Sequence, residues 1–131
     1  MEIGLTRAVL VSILAHEKLA HPEEACGLLL GHGTCITQVR STRNVHPTPQ
    51  THFEIDPQTL IDAHRAARRG GADVLGYYHS HPTGDTEPSA TDRALASGDG
   101  RVWAIVAGGD VAFWRDDERG FVALSYIIDD G

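Results

Sequence analysis

A short segment, residues 79–92, contains the side chains of this sequence best suited to bind a metal ion. His79 and His81 stand two residues apart at the end of an apolar, strand-like run over residues 74–81, so both side chains emerge on one face of the strand. Two imidazoles on one face can reach a single zinc ion at about 2.0–2.1 Å. Taken alone, such a pair also occurs as two surface histidines at the end of a strand.

An aspartate follows this pair at a distance along the chain that allows a third ligand. Ser89 is a typical N-cap residue, which places Asp92 in the first turn of a short helix. Residues three apart share one face of a helix, so the Asp92 carboxylate can join the two imidazoles. The same Ser-x-x-Asp pattern is also typical of an ordinary capping box at a helix start.

Two neighbouring glutamates, Glu23 and Glu24, precede an apolar run over residues 25–30. In an extended chain their side chains point in opposite directions, so only one of them can reach the metal-binding segment. A carboxylate at the start of a buried strand is often a solvated end. Here it also supplies what the His and Asp set lacks, namely a proton acceptor for a metal-activated water.

These residues match a family motif in order and in spacing. The combination resembles the JAMM motif of the JAMM/MPN+ zinc metalloproteases, which remove ubiquitin and ubiquitin-like proteins. The residues that carry the resemblance are Glu24, Cys26-Gly27-Leu28-Leu29, His79-Ser80-His81-Pro82, Ser89 and Asp92. The segments 53–57 and 76–78 also look like this family, and the resemblance extends over about residues 3 to 128.

The resemblance implies a role for each residue of the motif. His79, His81 and Asp92 would bind one Zn²⁺ ion, with a catalytic water as its fourth ligand. Glu24 would be the general acid/base, chosen over Glu23 because it lies two residues before the Cys-Gly pair. Ser89 would help to hold the oxyanion of the tetrahedral intermediate.

The resemblance also implies a substrate class. Family members of this compact, prokaryotic type hydrolyse the bond after the C-terminal Gly-Gly of a ubiquitin-like or β-grasp sulfur-carrier protein. The alternative is a non-catalytic MPN scaffold that binds such a protein without cutting it. The sequence leaves open which carrier is bound, whether an amino acid or a protein is released, and the oligomeric state.

The order of helical and extended patterns predicts the architecture that must position these residues. We expect an α/β fold in which helices pack on a mixed, largely antiparallel sheet. By resemblance this is a single MPN-like, cytidine-deaminase-like domain over residues 1–131. The predicted elements are a strand over 1–5, a helix over 6–20, strands over 24–30, 35–40 and 53–55, a helix over 56–70, a strand over 74–81, a helix from 89 to about 98, and strands over 102–107, 111–115 and 121–128.

The composition excludes some functions and compartments. The chain has 11 basic and 18 acidic residues, for a net charge of −7, and lacks the basic patch that nucleic-acid binding requires. No apolar run approaches the roughly 18 residues of a membrane span, so we expect no membrane partner and a cytoplasmic protein. The hairpin does not place Cys26 opposite Cys35, so we expect no disulfide between them.

Overall fold

The computed structural model describes residues 2–131, which form seven strands and three helices. Met1, the first residue of the predicted N-terminal strand, lies outside the described residues. In chain order the elements are β1 Glu2–Leu5, α1 Arg7–Ala20, β2 Cys26–His32, β3 Cys35–Thr42, α2 Pro57–Arg68, β4 Asp73–Ser80, α3 Ala90–Leu95, β5 Val102–Ala107, β6 Asp110–Asp117 and β7 Gly120–Ile128.

The seven strands form a closed sheet in the order β1-β3-β2-β4-β5-β6-β7, with β7 returning to β1. The neighbouring pairs β1–β3, β1–β7 and β4–β5 are parallel. The pairs β2–β3, β2–β4, β5–β6 and β6–β7 are antiparallel. The mixed α/β architecture is as predicted. The closure of the sheet by its first and last strands is a feature that the sequence did not indicate.

Helices cover both faces of this sheet. The α1 helix begins where Thr6 Oγ1 accepts a hydrogen bond from the N–H of Val9 at 3.2 Å, which is the expected N-cap contact. Its buried residues Val9 and Ile13 pack into the main core. The α2 helix begins at the predicted Asp56 cap and Pro57, and its Ala63 packs in a second, smaller core on the other face.

The strand β2 lies between these two cores. Leu29 belongs to the main core, whereas its neighbours Leu28 and Leu30 belong to the second core. Because successive side chains of a strand point to opposite faces, a strand buried on both sides must be apolar throughout. This explains the uninterrupted run of apolar residues here, and it places the chain just before β2 close to the protein interior.

Three predicted elements are wrong in extent. The strand predicted over residues 24–30 is β2, which spans Cys26–His32, so Glu24 lies just before the strand. Of the predicted strand over residues 53–55, only Ile55 forms a bridge, with Asn44. The His52 carbonyl and the Glu54 N–H are bonded to the Asn44 side chain and not to a neighbouring strand. The third helix ends at Leu95 and not near residue 98. There the N–H groups of residues 97 and 98 donate to the Asp116 carboxylate, each at 3.0 Å, instead of to helix carbonyls.

The register of the β2–β3 hairpin keeps the two cysteines of the chain apart. His32 pairs with Cys35, and an irregularity between Leu30 and Gly31 shifts the register, so that Cys26 pairs with Thr42. Gly33 occupies the turn with φ +61°, a conformation that glycine adopts without strain. Cys26 is a buried and Cys35 an exposed free cysteine.

None of the helices within residues 2–131 combines the length and the apolar character needed to cross a membrane.

Candidate active site and metal centre

The strand β4 brings the two histidines of the motif to one point. His79 is the penultimate residue of β4 and is fully buried, and His81 follows directly after the strand ends at Ser80. The Nε2 atoms of the two imidazoles lie 3.1 Å apart. The spacing of two residues therefore places both rings on one side of the sheet, as the sequence predicted.

The third candidate ligand is a carboxylate at the start of α3. Asp92 is buried, with its Oδ1 3.0 Å from His79 Nε2 and its Oδ2 3.0 Å from His81 Nε2. It is also the third residue of α3, where its Oδ2 accepts the N–H of Ser89 at 2.9 Å and its own N–H donates to Ser89 Oγ at 3.1 Å. The capping-box interpretation of the Ser-x-x-Asp pattern is confirmed, and the same carboxylate faces the two histidines.

The geometry of these three side chains fits a metal ion. His79, His81 and Asp92 each offer one ligand atom, and these atoms all lie within 4.8 Å of one another. Ligands of a tetrahedral zinc at about 2.0–2.1 Å are roughly 3.3 Å apart, close to the observed separations of 3.0 and 3.1 Å. Two imidazole nitrogens and one carboxylate oxygen are a donor set that suits zinc.

Neighbouring groups determine the tautomer of His81 and the ring orientation of His79. The Nδ1–H of His81 donates to the carbonyl of Asp85 at 2.6 Å, which leaves the lone pair of Nε2 available to a metal. His79 Nδ1 is buried and has no hydrogen-bond partner among the described residues. Ring packing orients His79 instead, because Phe53 stacks on it with centroids 4.2 Å apart and Trp103 meets it edge-on at 5.7 Å.

The ionisation of Asp92 and His79 favours metal binding, whereas that of His81 opposes it. Burial alone would raise the pKa of Asp92, but hydrogen bonds from His79 and His81 outweigh it and hold that pKa well below its usual range. Burial lowers the pKa of His79. Burial also acts to lower the pKa of His81, but its bond to Asp92 raises it overall. A metal ion would therefore meet an anionic carboxylate at Asp92 and a weakly held proton at His79, but it would have to displace a more firmly held proton from His81.

Glu24 is the glutamate of the acidic pair that faces the site. Glu24 is buried, with only 7% of its surface exposed, whereas Glu23 is exposed. Burial raises the pKa of Glu24 to about 7, with Asp92 adding to the increase and His81 opposing it. A carboxylate with a pKa near neutrality can both accept and return a proton at physiological pH.

A cleft of about 400 Å³ joins Glu24 to the other candidate catalytic group. Its lining includes Glu24, His81 and Ser89, so the acid/base candidate, one metal ligand and the serine open onto the same space. The Ser89 oxygen already accepts the Asp92 N–H. Its own O–H hydrogen therefore remains free to donate to a substrate atom in the cleft.

The sequence profile of prokaryotic homologues of the JAB domain matches residues 6–117. The chain belongs to this prokaryotic JAB family. The match covers most of the chain, and it includes Glu24, both histidines, Ser89 and Asp92.

Individual relatives agree with this assignment. The chain is 38% identical over 100 residues to a desampylase of Haloferax volcanii, which covers 72% of each chain. It is 31% identical over 128 residues to a CysO-cysteine peptidase of Mycobacterium tuberculosis, which covers 95% of this chain and 82% of the relative. The solution structure of a Desulfitobacterium hafniense protein superposes with a TM-score of 0.85 at 29% identity, and covers 100% of this chain and 94% of that one.

Several residues around this JAB-family site were not identified from the sequence. Phe53 stacks on His79, the Asp85 carbonyl orients His81, and the Nε1–H of Trp114 donates to the Thr86 carbonyl at 3.0 Å. The last two bonds hold the loop over residues 82–88 beside the cleft. A backbone carbonyl has no residue-specific signature, and only the similarity of residues 53–57 to the family indicated Phe53.

Proposed function

We propose that this protein is a zinc-dependent peptidase or isopeptidase that hydrolyses the bond after the C-terminal Gly-Gly of a ubiquitin-like or sulfur-carrier protein. The observation that carries the proposal is the shared cleft, onto which Glu24, His81 and Ser89 open together. The names of similar proteins, a desampylase and a CysO-cysteine peptidase, support this kind of reaction. In our proposal residues 1–131 act as one domain in the cytoplasm, and the family match over residues 6–117 supports the single domain.

In this proposal His79, His81 and Asp92 hold one zinc ion, and a water completes its coordination. Zinc at this position would polarise the scissile carbonyl and lower the pKa of the water towards about 7. The three side chains are pre-arranged for this task, because His79 is packed between aromatic rings and Asp92 is bonded to the Ser89 backbone.

Glu24 and Ser89 perform the proton transfer and the charge stabilisation. The Glu24 carboxylate accepts a proton from the attacking water and then delivers it to the leaving amine. Its burial suits both steps, since a pKa of about 7 allows the carboxylate to gain and to lose a proton easily near neutral pH. The Ser89 hydroxyl donates a hydrogen bond to the oxygen of the tetrahedral intermediate, where negative charge develops.

The cleft also suits a glycine-terminated tail. Its lining includes Gln50, Thr51 and several residues of the loop over 82–88. Glycine has no Cβ, so a Gly-Gly tail can approach the site closely where larger residues would clash.

The test is cleavage of a carrier extended beyond its Gly-Gly, with the released group followed by mass spectrometry. We expect release by the zinc-loaded enzyme, loss of release with a chelator, and recovery when zinc is restored. If the group is released at the same rate in the presence of the chelator, the metal mechanism is refuted. Binding of the carrier without cleavage, with zinc confirmed bound, would favour the non-catalytic scaffold instead.

Two variants and one matched control test the residue roles. We expect Glu24→Gln to retain zinc and to lose cleavage, and His79→Ala to lose zinc as measured by metal analysis. Glu23→Gln is the control, since it makes the same change at the adjacent, exposed glutamate and should cleave normally. Full activity of Glu24→Gln would contradict its assignment as the base.

A further inference from the structure

The chain contains a single asparagine, Asn44, in the segment that follows β3. Its side-chain amide makes hydrogen bonds in two directions at once. The Oδ1 atom accepts the N–H groups of His46 and Glu54, each at 3.1 Å. The Nδ2 atom donates to the carbonyls of His52 at 2.9 Å, Glu24 at 3.1 Å and Pro49 at 3.3 Å. One side chain thus ties the segment over residues 44–54 to Glu24.

The backbone of Glu24 depends on this segment because no strand pairs with it. The ladder between β2 and β4 begins at Cys26 and His79, two residues after Glu24. The Glu24 N–H donates to the Pro49 carbonyl at 2.7 Å, and the Glu24 carbonyl accepts from Asn44. Both polar groups of the Glu24 main chain are therefore satisfied by the segment that Asn44 organises.

The same segment also reaches the metal ligands. It presents Phe53, whose ring stacks on His79 with an angle of 15° between the planes. Asn44 accepts the N–H of Glu54, directly after Phe53, and donates to the carbonyl of His52, directly before it. The position of the Glu24 backbone and the position of the ring packed on His79 are consequently set by one amide group.

We infer that Asn44 is a positioning residue, which fixes the Glu24 carboxylate relative to the metal ligands. The inference rests on the proposed function, in which Glu24 is the acid/base. A base that is misplaced by about 1 Å can cost roughly 100-fold in rate, while the ligands themselves remain in place. Asn44 does not line the cleft that Glu24, His81 and Ser89 share, so it would act through Glu24.

The first test uses Asn44→Ala with Thr48→Val as the matched control. Thr48 Oγ1 bonds His46 and His52 within the same segment and makes no hydrogen bond to Glu24 within the described part of the chain. The control therefore loosens the segment but leaves the bonds between the segment and Glu24 intact. We expect Asn44→Ala to retain zinc and a KM within about threefold, while kcat falls about 10- to 100-fold. Thr48→Val should stay within about twofold of the wild type.

A double-mutant cycle separates action through Glu24 from a general loss of structure. If Asn44 works by placing Glu24, adding Asn44→Ala to Glu24→Gln should lower the residual rate by less than about twofold. An equal loss in both backgrounds, or wild-type kcat in Asn44→Ala, would overturn the inference. Inactivity of the wild type would count against the proposed function, and full activity of Glu24→Gln would count against the base assignment.

A measurement on the metal-free protein tests the bonding without any assay of activity. Because Asn44 is the only asparagine, selective ¹⁵N labelling of asparagine gives one side-chain amide pair in an NMR spectrum. We expect both hydrogens of this pair to exchange with solvent at least 10-fold more slowly than those of a free asparagine amide. Exchange as fast as in an unfolded peptide would show that the amide is not bonded, and would refute the inference even if a variant failed to fold.

Discussion

Ser80 lies between the two histidines, and its side-chain hydroxyl is bonded to the chain segment that contains Glu24. The N–H of Ala25 donates to Ser80 Oγ at 2.8 Å, and the N–H of Ser80 donates to the Ala25 carbonyl at 3.0 Å. Ser80 is 2% exposed. The pair extends the contact between β2 and β4 by one residue, directly beside Glu24.

We predict that Ser80→Ala destabilises the protein measurably. The substitution leaves the Ala25 N–H buried without an acceptor, which costs about 1–3 kcal/mol. A loss of about 2 kcal/mol would lower the melting temperature by roughly 6–10 °C in a chain of this size. The free energy of unfolding in urea, with and without zinc, measures the effect, and kcat should fall as well because the chain next to Glu24 is released.

Ser41→Ala is the matched control for this prediction. Ser41 is an exposed residue of β3, and its replacement should change the free energy of unfolding by less than about 0.5 kcal/mol. If Ser80→Ala behaves like Ser41→Ala, then water or another group satisfies the Ala25 N–H. The reasoning that the Ser80 hydroxyl joins the chain beside Glu24 to the end of β4 would then be refuted.

Two further predictions concern the packing of β2 and the ionisation of Glu24. A Cβ at Gly27 would overlap the Tyr78 ring and lie 2.6 Å from the Arg40 carbonyl, so Gly27→Ala should cost about 1–3 kcal/mol in urea denaturation. Gly4→Ala, whose Cβ would meet Cys35 Sγ at 3.5 Å, is the control, and equal stability of the two variants would contradict the clash. In metal-free protein, the pKa of Glu24 is raised to about 7 from an ordinary 4.5, so the folded state prefers the neutral carboxyl. The stability that Glu24 contributes is therefore complete below pH 4.5 and is lost as the pH rises through 7. The wild type should therefore lose on the order of 1–3 kcal/mol relative to Glu24→Gln across that window, and parallel stability curves for the two proteins would exclude a raised pKa.

The residues of the candidate site could be predicted from the sequence because their geometry is local. The spacing of His79 and His81 is the period of a strand, and the spacing of Ser89 and Asp92 is that of a capped helix start. The structure brings these four side chains together with buried Glu24. The resemblance to the family linked the three segments, which local patterns alone could not have joined.

The supporting contacts could not be predicted, because they join residues that are far apart or involve atoms that every residue has. Trp114 and Thr86 are 28 residues apart, and the acceptor is a main-chain carbonyl. The closure of the sheet pairs β1 with β7, from the two ends of the described chain, and no local pattern encodes such a partner. Helix α3 was predicted too long because the distant Asp116 takes the N–H groups that would have continued it.

The double role of Asp92 has a consequence for how the protein acquires its metal. The carboxylate that faces the imidazoles is also the group that caps α3, a helix of only six residues. If Asp92 is a metal ligand as proposed, folding the helix would deliver it in its binding orientation, so that little conformational entropy would remain to be lost when an ion arrives. Acid would then act in two stages. The His81 imidazole, whose pKa is raised, takes up a proton and competes with the metal first, whereas Asp92, whose pKa lies well below its usual range, stays ionised and keeps its cap on α3.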